Sequence, residues 1–257
     1  MSAERPIEIV TTRGGEVESV HRVHAVVAGP DGIATHVFGD PDRMIFPRSA
    51  IKAFQALPLV ESGAARAHGL SPAELALSCS SHEGEPFHTD AVLAWLGRLG
   101  LAEDALACGP QWPRRIGDQN DLVRAGAEPV RRQHNCSGKH TGMLTTALHL
   151  GEPMHGYQDR RHPVQQRIFA AMGEMARVDL GNPPFRLYGC SAHNPSLPLP
   201  ALAPPAARPA EGSHDPPGAA RAHASATLRH ALPAHPERLG DRGRVDAARV
   251  RAVRSST

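Results

Sequence analysis

The 257 residues carry 28 Lys plus Arg against 26 Asp plus Glu, a formal charge of only +2, which gives no bulk electrostatic reason to expect nucleic acid or an anionic membrane as partner. This length supports one large domain or two small ones with ample apolar material for a core, while 24 Gly, 24 Pro and 4% aromatic residues point to a loop-rich chain. The four cysteines, Cys79, Cys108, Cys136 and Cys190, lie far apart without a Cys-x-x-Cys pair, so the pattern is not a disulfide framework and reduced thiols in a bacterial-type cytoplasm are the simplest expectation. Met1 to Val10 holds Glu4 and Glu8 and no long apolar run, so no signal peptide is expected, and no later stretch reaches membrane-span length.

In chain order, Ile7 to Thr11, Val17 to Ala28 and Ile33 to Phe38 are rich in Val, Ile and Thr and are separated by Gly14-Gly15 and Gly29-Pro30-Asp31-Gly32. They predict a three-stranded antiparallel meander. Ser49 opens a helical pattern to about Ser62, with Ile51, Phe54, Leu57 and Val60 on one side and Pro58 kinking or ending it. Ser71-Pro72 reads as an N-cap with proline at the first helical position, and the helix it starts runs into Ser80-Ser81-His82-Glu83-Gly84-Glu85. Further helices are expected over Pro86 to Leu99, Thr141 to Leu150 and from His162-Pro163, with a breaker-rich loop at Cys108 to Pro113. Phe185 to Tyr188 reads as a short strand delivering Gly189-Cys190-Ser191. Strands, then helices with long loops, then a strand favour an α+β fold over alternating α/β.

Beyond about Leu199 the composition shifts to Ala, Pro, Arg and His, with no aromatic residue, Lys, Ile or Met. Residues 200–257 are therefore expected to bury little and to be poorly ordered in large part, with short helices possible near 222–232 and 245–253.

Four polar clusters stand at the ends of predicted elements, where a rigid scaffold tends to carry binding groups. In Arg48-Ser49-x-x-Lys52 the hydroxyl and the amine lie one helical turn apart, so a neutral Lys52 could take the Ser49 proton; burial, Arg48 and the helix N-terminus all favour neutrality. The plain structural reading of the same residues is an N-cap. Ser81-His82-x-Gly84 reads plainly as a surface turn, Cys136 to His140 as a glycine-rich turn before a helix, and Cys190-Ser191 as a buried strand-end thiol. Two thiolates, Cys136 and Cys190, suit zinc, whereas a lysine must be neutral to ligate.

The phrases Pro47-Arg48-Ser49-Ala50-Ile51-Lys52-Ala53-Phe54-Gln55, Cys79-Ser80-Ser81-His82-Glu83-Gly84-Glu85, His134-Asn135-Cys136-Ser137-Gly138-Lys139-His140-Thr141-Gly142-Met143 and Gly189-Cys190-Ser191-Ala192 closely resemble the asparaginase II family, the rhizobial, thermolabile type. The resemblance runs to about Leu199. It implies a serine β-lactamase-like α+β fold, an antiparallel sheet with helices, here incomplete at the C-terminus, in a catalytic domain over 1–199. It also implies hydrolysis of L-asparagine to L-aspartate and ammonia in the cytoplasm, by a homodimeric enzyme. Carried over, Ser49 is the nucleophile, Lys52 its base and Ser81 a second catalytic serine; Arg48 and His140 are substrate-binding; Cys136, Lys139 and Cys190 form a zinc site.

Three departures from the family pattern favour, as an alternative, a catalytically impaired member that still binds zinc or asparagine. Tyr188 stands where the family has an aspartate before Gly-Cys. His193-Asn194-Pro195 replaces a Pro-Asn-Phe-like run. No lysine follows Lys139, so the family's later Lys-x-Gly-Ala-Glu-Gly segment, which supplies the partner of the second serine, has no counterpart; a C-terminal tail altered by a frame disruption is the expectation this raises. A Ser-x-x-Lys β-lactamase or peptidase is a third reading, weakened by the lack of Ser-x-Asn and Lys-Thr-Gly partners.

Overall fold

The computed structural model describes residues 4–29, 33–202 and 216–239. They form helices and small antiparallel sheets, an α+β arrangement. The chain divides into two compact units: one draws on Met1–Pro47, Met172–Arg186 and Asn194–Pro209, the other on Arg48–Ala171, Leu187–His193 and Ala210–Thr257.

In the first unit, β1 (Ile7–Arg13) pairs antiparallel with β2 (Glu16–Val23), and β3 (Ala25–Ala28) with β4 (Ala34–Phe38). The expected three-stranded meander is thus two separate hairpins, because the expected single strand Val17 to Ala28 is broken at His24. The His24 ring explains the break. Its Nδ1 accepts the Asp40 N–H at 2.8 Å, and Gly39, at φ +80°, leaves room where a Cβ would come within 2.4 Å of that nitrogen. Hydrophobic alternation marks strands but does not say which of them pair. The two-residue strands Met44–Ile45 and Leu197–Pro198 form a third small antiparallel pair.

The second unit is mostly helical. A 3₁₀ turn, Arg48–Ile51, leads into α1 (Lys52–Gln55), and α2 (Leu57–Glu61) follows after a break at Ala56 that places Pro58 in the first turn, where its missing N–H costs nothing. Next come α3 (Ala64–Ala67) and α4 (Pro72–Ser78), which Ser71 caps in a full capping box with Glu74. They are followed by α5 (Pro86–Arg98), α6 (Ile116–Arg124), α7 (Ser137–His149), α8 (Pro163–Ala176), whose residues from Met172 on belong to the first unit, α9 (Pro216–Ala234) and α10 (Pro236–Leu239). The core collects Ile51, Leu57, Leu59, Leu75, Leu77, Val92, Trp95, Leu96, Leu144 and Ile168.

Helix α7 runs through this core, with Ser137 to Ala147 all buried. So polar a helix survives burial because Thr141, Thr145 and Thr146 donate back to the carbonyls of Ser137, Thr141 and Gly142. At Gly138 the helix meets α4 so closely that a Cβ would lie 2.5 Å from the Leu77 carbonyl oxygen. That contact sets the distance between the polar turn after α4 and the first turn of α7.

The short helix expected near 222–232 falls inside the longer α9, and the one expected near 245–253 lies outside the described residues. Helix α9 lies against α2 and α4 and buries Ala224, Leu228 and Ala231 at i, i+4 and i+7. Arg221 pairs with Glu61 of α2, and Arg238 donates to the Phe87 carbonyl at 2.6 Å. The packing stripe is narrow and mostly alanine, which composition alone conceals. Helix α6 was not expected. It buries no residue, Ile116 and Val123 are exposed, and so no apolar stripe announces it.

Candidate active site

All four polar clusters lie in the second unit, each at the end of an element. Arg48 and Ser49 occupy the 3₁₀ turn and Lys52 opens α1; Ser80, Ser81 and His82 follow α4; Cys136 immediately precedes α7, whose first turn holds Lys139 and His140; Cys190 sits in the segment Leu187–His193. Lys52 and Lys139 are the only lysines in the chain, and both are buried here.

Lys52, 1% exposed, directs its Nζ to the Ser80 carbonyl oxygen at 2.5 Å and to Ser81 Oγ at 2.7 Å. Burial, reinforced by the charge of Lys139 and opposed by Cys136, holds its pKa below the 10.5 of a free lysine. Ser49 is exposed, and among the described residues no hydrogen bond joins it to Lys52. Arg48 adopts a left-handed backbone, φ 51°, and its carbonyl accepts the Tyr188 hydroxyl. Ser191, next to Cys190, is also left-handed at φ 68°. Such conformations are costly for residues with a Cβ and persist where the surroundings fix them.

Cys136, Lys139 and Cys190 are buried together, with Lys139 Nζ 3.2 Å from Cys190 Sγ. The two sulfurs share a hydrogen bond that lowers the pKa of Cys136 far below an ordinary thiol and raises that of Cys190, so the pair carries one proton, held by Cys190. Burial alone would lower the pKa of Lys139; the single thiolate charge of the Cys136–Cys190 pair, with the Cys190 hydrogen bond, outweighs it and raises the pKa instead. A positive charge therefore already sits against the sulfurs. Two thiols and an amine in one buried cluster suit zinc by donor chemistry. Among the described residues no group of three or more His, Cys, Asp and Glu could hold a metal, so Lys139 would have to serve as the third ligand. The Tyr188 ring lies under Lys139, 4.8 Å from Nζ to centroid. Where the family pattern has a carboxylate, this chain puts an aromatic face against the lysine and a hydroxyl on Arg48.

Two histidines complete the cluster. His82 Nδ1 accepts the Gly84 N–H at 3.1 Å, so Nε2 carries the proton and donates to Ser137 Oγ at 2.8 Å, which in turn donates to the Arg132 carbonyl. Burial pushes the pKa of His82 well below 6.5 and keeps the ring neutral. His140, fully buried and likewise held neutral, meets the Tyr157 hydroxyl at 2.7 Å through Nδ1. Its Nε2 has no partner among the described residues.

Of the expected site residues, the structure thus joins Lys52 with Ser81 and Lys139 with Cys136 and Cys190, places His140 beside them in α7, and leaves Ser49 and Arg48 on the exposed turn. Sequence reasoning missed Tyr157, the Ser80 carbonyl, and the contacts of Tyr188. One signal was available: the chain has only two lysines and two tyrosines, and all four lie in this cluster.

A family model described as L-asparaginase II matches residues 9–257, extending past the last of the four phrases to the end of the chain. No curated protein matches the chain.

Proposed function

The chain belongs to the L-asparaginase II family of asparaginase-type amidohydrolases, whose substrates are small molecules, and from that premise we propose that it hydrolyses L-asparagine to L-aspartate and ammonia through a serine activated by Lys52. The observation that carries this reading is the buried Lys52 amine, lowered in pKa and held 2.7 Å from a serine hydroxyl.

In the proposed reaction neutral Lys52 takes the serine proton as Oγ attacks the side-chain amide carbon, forming a tetrahedral oxyanion. The carbon–nitrogen bond then breaks, the Lys52 ammonium returns the proton, and ammonia leaves a β-aspartyl ester. Water, losing a proton to the same amine, attacks the ester, and its collapse restores the serine and releases aspartate. Ser49 is the nucleophile by family likeness, with Ser81 passing the proton to Lys52. The exposed Arg48 guanidinium suits the substrate α-carboxylate, which its fork can hold through both oxygens. The hydrogen bond of Lys52 to Ser81 favours a second reading in which Ser81 itself attacks. Zinc, if bound, would be held by Cys136, Cys190 and a neutral Lys139, and would supply a fixed positive charge for orienting the substrate. The serine β-lactamase-like fold, the cytoplasmic location and a homodimer are proposed on the same family grounds. Among the described residues no helix is long and apolar enough to cross a membrane.

The test is ammonia release from L-asparagine by the full chain, Ser49→Ala and Ser81→Ala, with the acyl-enzyme trapped by acid quench and located by peptide mass. An ester on Ser49 supports the first reading and one on Ser81 the second. No turnover from folded protein that still binds zinc or asparagine would establish the catalytically impaired reading instead. Hydrolysis of a chromogenic β-lactam without amidase activity would move the assignment to the β-lactamase class.

A further inference from the structure

The fully buried His140 ring has one satisfied nitrogen and one without a partner among the described residues, and the residue that decides which nitrogen is protonated lies outside the four family phrases. Tyr157, 1% exposed, accepts the Ala107 N–H on its hydroxyl oxygen at 2.8 Å and meets His140 Nδ1 at 2.7 Å, with the two rings edge-on at 74°. The hydroxyl has one proton to place. If it goes to Nδ1, the phenol oxygen accepts from Ala107, its O–H donates to the imidazole, and the only unpaired group left is the Nε2–H of His140.

With the opposite tautomer, Nδ1–H would donate to the phenol oxygen. The phenol hydrogen would then lack an acceptor and the Nε2 lone pair would lack a donor, two buried orphans in place of one. The count favours Nε2–H. That orphan belongs to the residue that follows Lys139 in the first turn of α7, within the candidate site. A buried N–H without a protein partner is a donor available to an oxygen of a ligand.

We propose that Tyr157 is a positioning residue, fixed by the Ala107 N–H, that holds His140 as the Nε2–H tautomer so that the ring offers a donor to an oxygen of the bound amino-acid amide. The identity of the ligand rests on the proposed asparaginase reading; the tautomer does not.

The experiment uses full-length protein with ¹⁵N-labelled histidine, the His140 ring signals being assigned by their loss in His140→Gln. Long-range ¹H–¹⁵N spectra of the wild type should show Nε2 protonated and Nδ1 bare without any substrate present. In Tyr157→Phe, Nδ1 loses its donor and the ring should become a mixture of tautomers, while kcat/KM for L-asparagine falls about tenfold, the worth of one lost hydrogen bond. L-Asparagine added to the wild type should move the Nε2 resonance. A wild-type ring protonated on Nδ1 overturns the proposal even if Tyr157→Phe does not fold, and so does a Tyr157→Phe protein whose His140 tautomer is unchanged. The expected tautomer with its Tyr157 dependence, but no ammonia release, would leave the positioning role standing and overturn the asparaginase reading.

Discussion

Gly138 is the position where one methyl group tests how the site is held together. A Cβ built there lies 2.5 Å from the Leu77 carbonyl oxygen and 2.7 Å from Leu77 Cγ. An ordinary carbon–oxygen contact needs roughly 0.8 Å more. The obstacle is backbone, which no rotamer change relieves, so α4 and α7 must move apart. Overpacking of this kind costs about 1–3 kcal/mol, and replacing a helical glycine by alanine returns about 1 kcal/mol. The net loss of up to about 2 kcal/mol lowers Tm by up to about 8 °C in a chain of this size. Because the same shift separates Ser80 and Ser81 from Lys139 and His140, kcat/KM should fall about 10²-fold in protein that is still folded. Gly97→Ala is the control, since nothing lies within 4 Å of a Cβ there and the substitution should raise stability by about 0.5–1 kcal/mol with activity unchanged. Thermal melts and ammonia release on both variants decide the matter. If Gly138→Ala gains stability as Gly97→Ala does and keeps full activity, the close contact is not what spaces the site.

Lys52→Met should abolish turnover while leaving stability equal or higher, because a buried amine is replaced by an apolar chain of similar length; a large drop in Tm would mean that the amine is structural. In the wild type, kcat/KM should rise with pH along a limb set by Lys52, lying below 10.5, since only the neutral amine accepts a proton. Stability should rise with pH between that lowered value and 10.5, where the unfolded chain binds the extra proton, and a titration of Tm should show the slope vanish in Lys52→Met. Cys190→Ser should lower the zinc content of the purified protein by metal analysis, and equal zinc in mutant and wild type would remove Cys190 from the ligand set. Leu228→Ala, in a position 2% exposed, should cost about 2–4 kcal/mol in denaturant melts if α9 is part of the core of the second unit; a cost under about 0.5 kcal/mol would show that it is not.

Local chemistry carried the parts that sequence could determine. The capping box at Ser71 and Glu74, the prolines opening α4, α5 and α8, and the break near Pro58 each depend on neighbours within four residues, and so does the placing of four polar clusters at the ends of elements. Tertiary structure decided the rest. His24 and Gly39 split an apparent single strand across a separation of fifteen residues. A narrow alanine stripe packs α9, although its composition suggests little burial. Lys52 bonds to Ser81, twenty-nine residues on, where one-turn spacing had pointed to Ser49. Tyr157 reaches His140 from seventeen residues away. Spacing along a chain fixes which side chains share a turn, but the direction of a long side chain such as lysine is set by where its charge can be buried and bonded, and that depends on residues brought together only by folding.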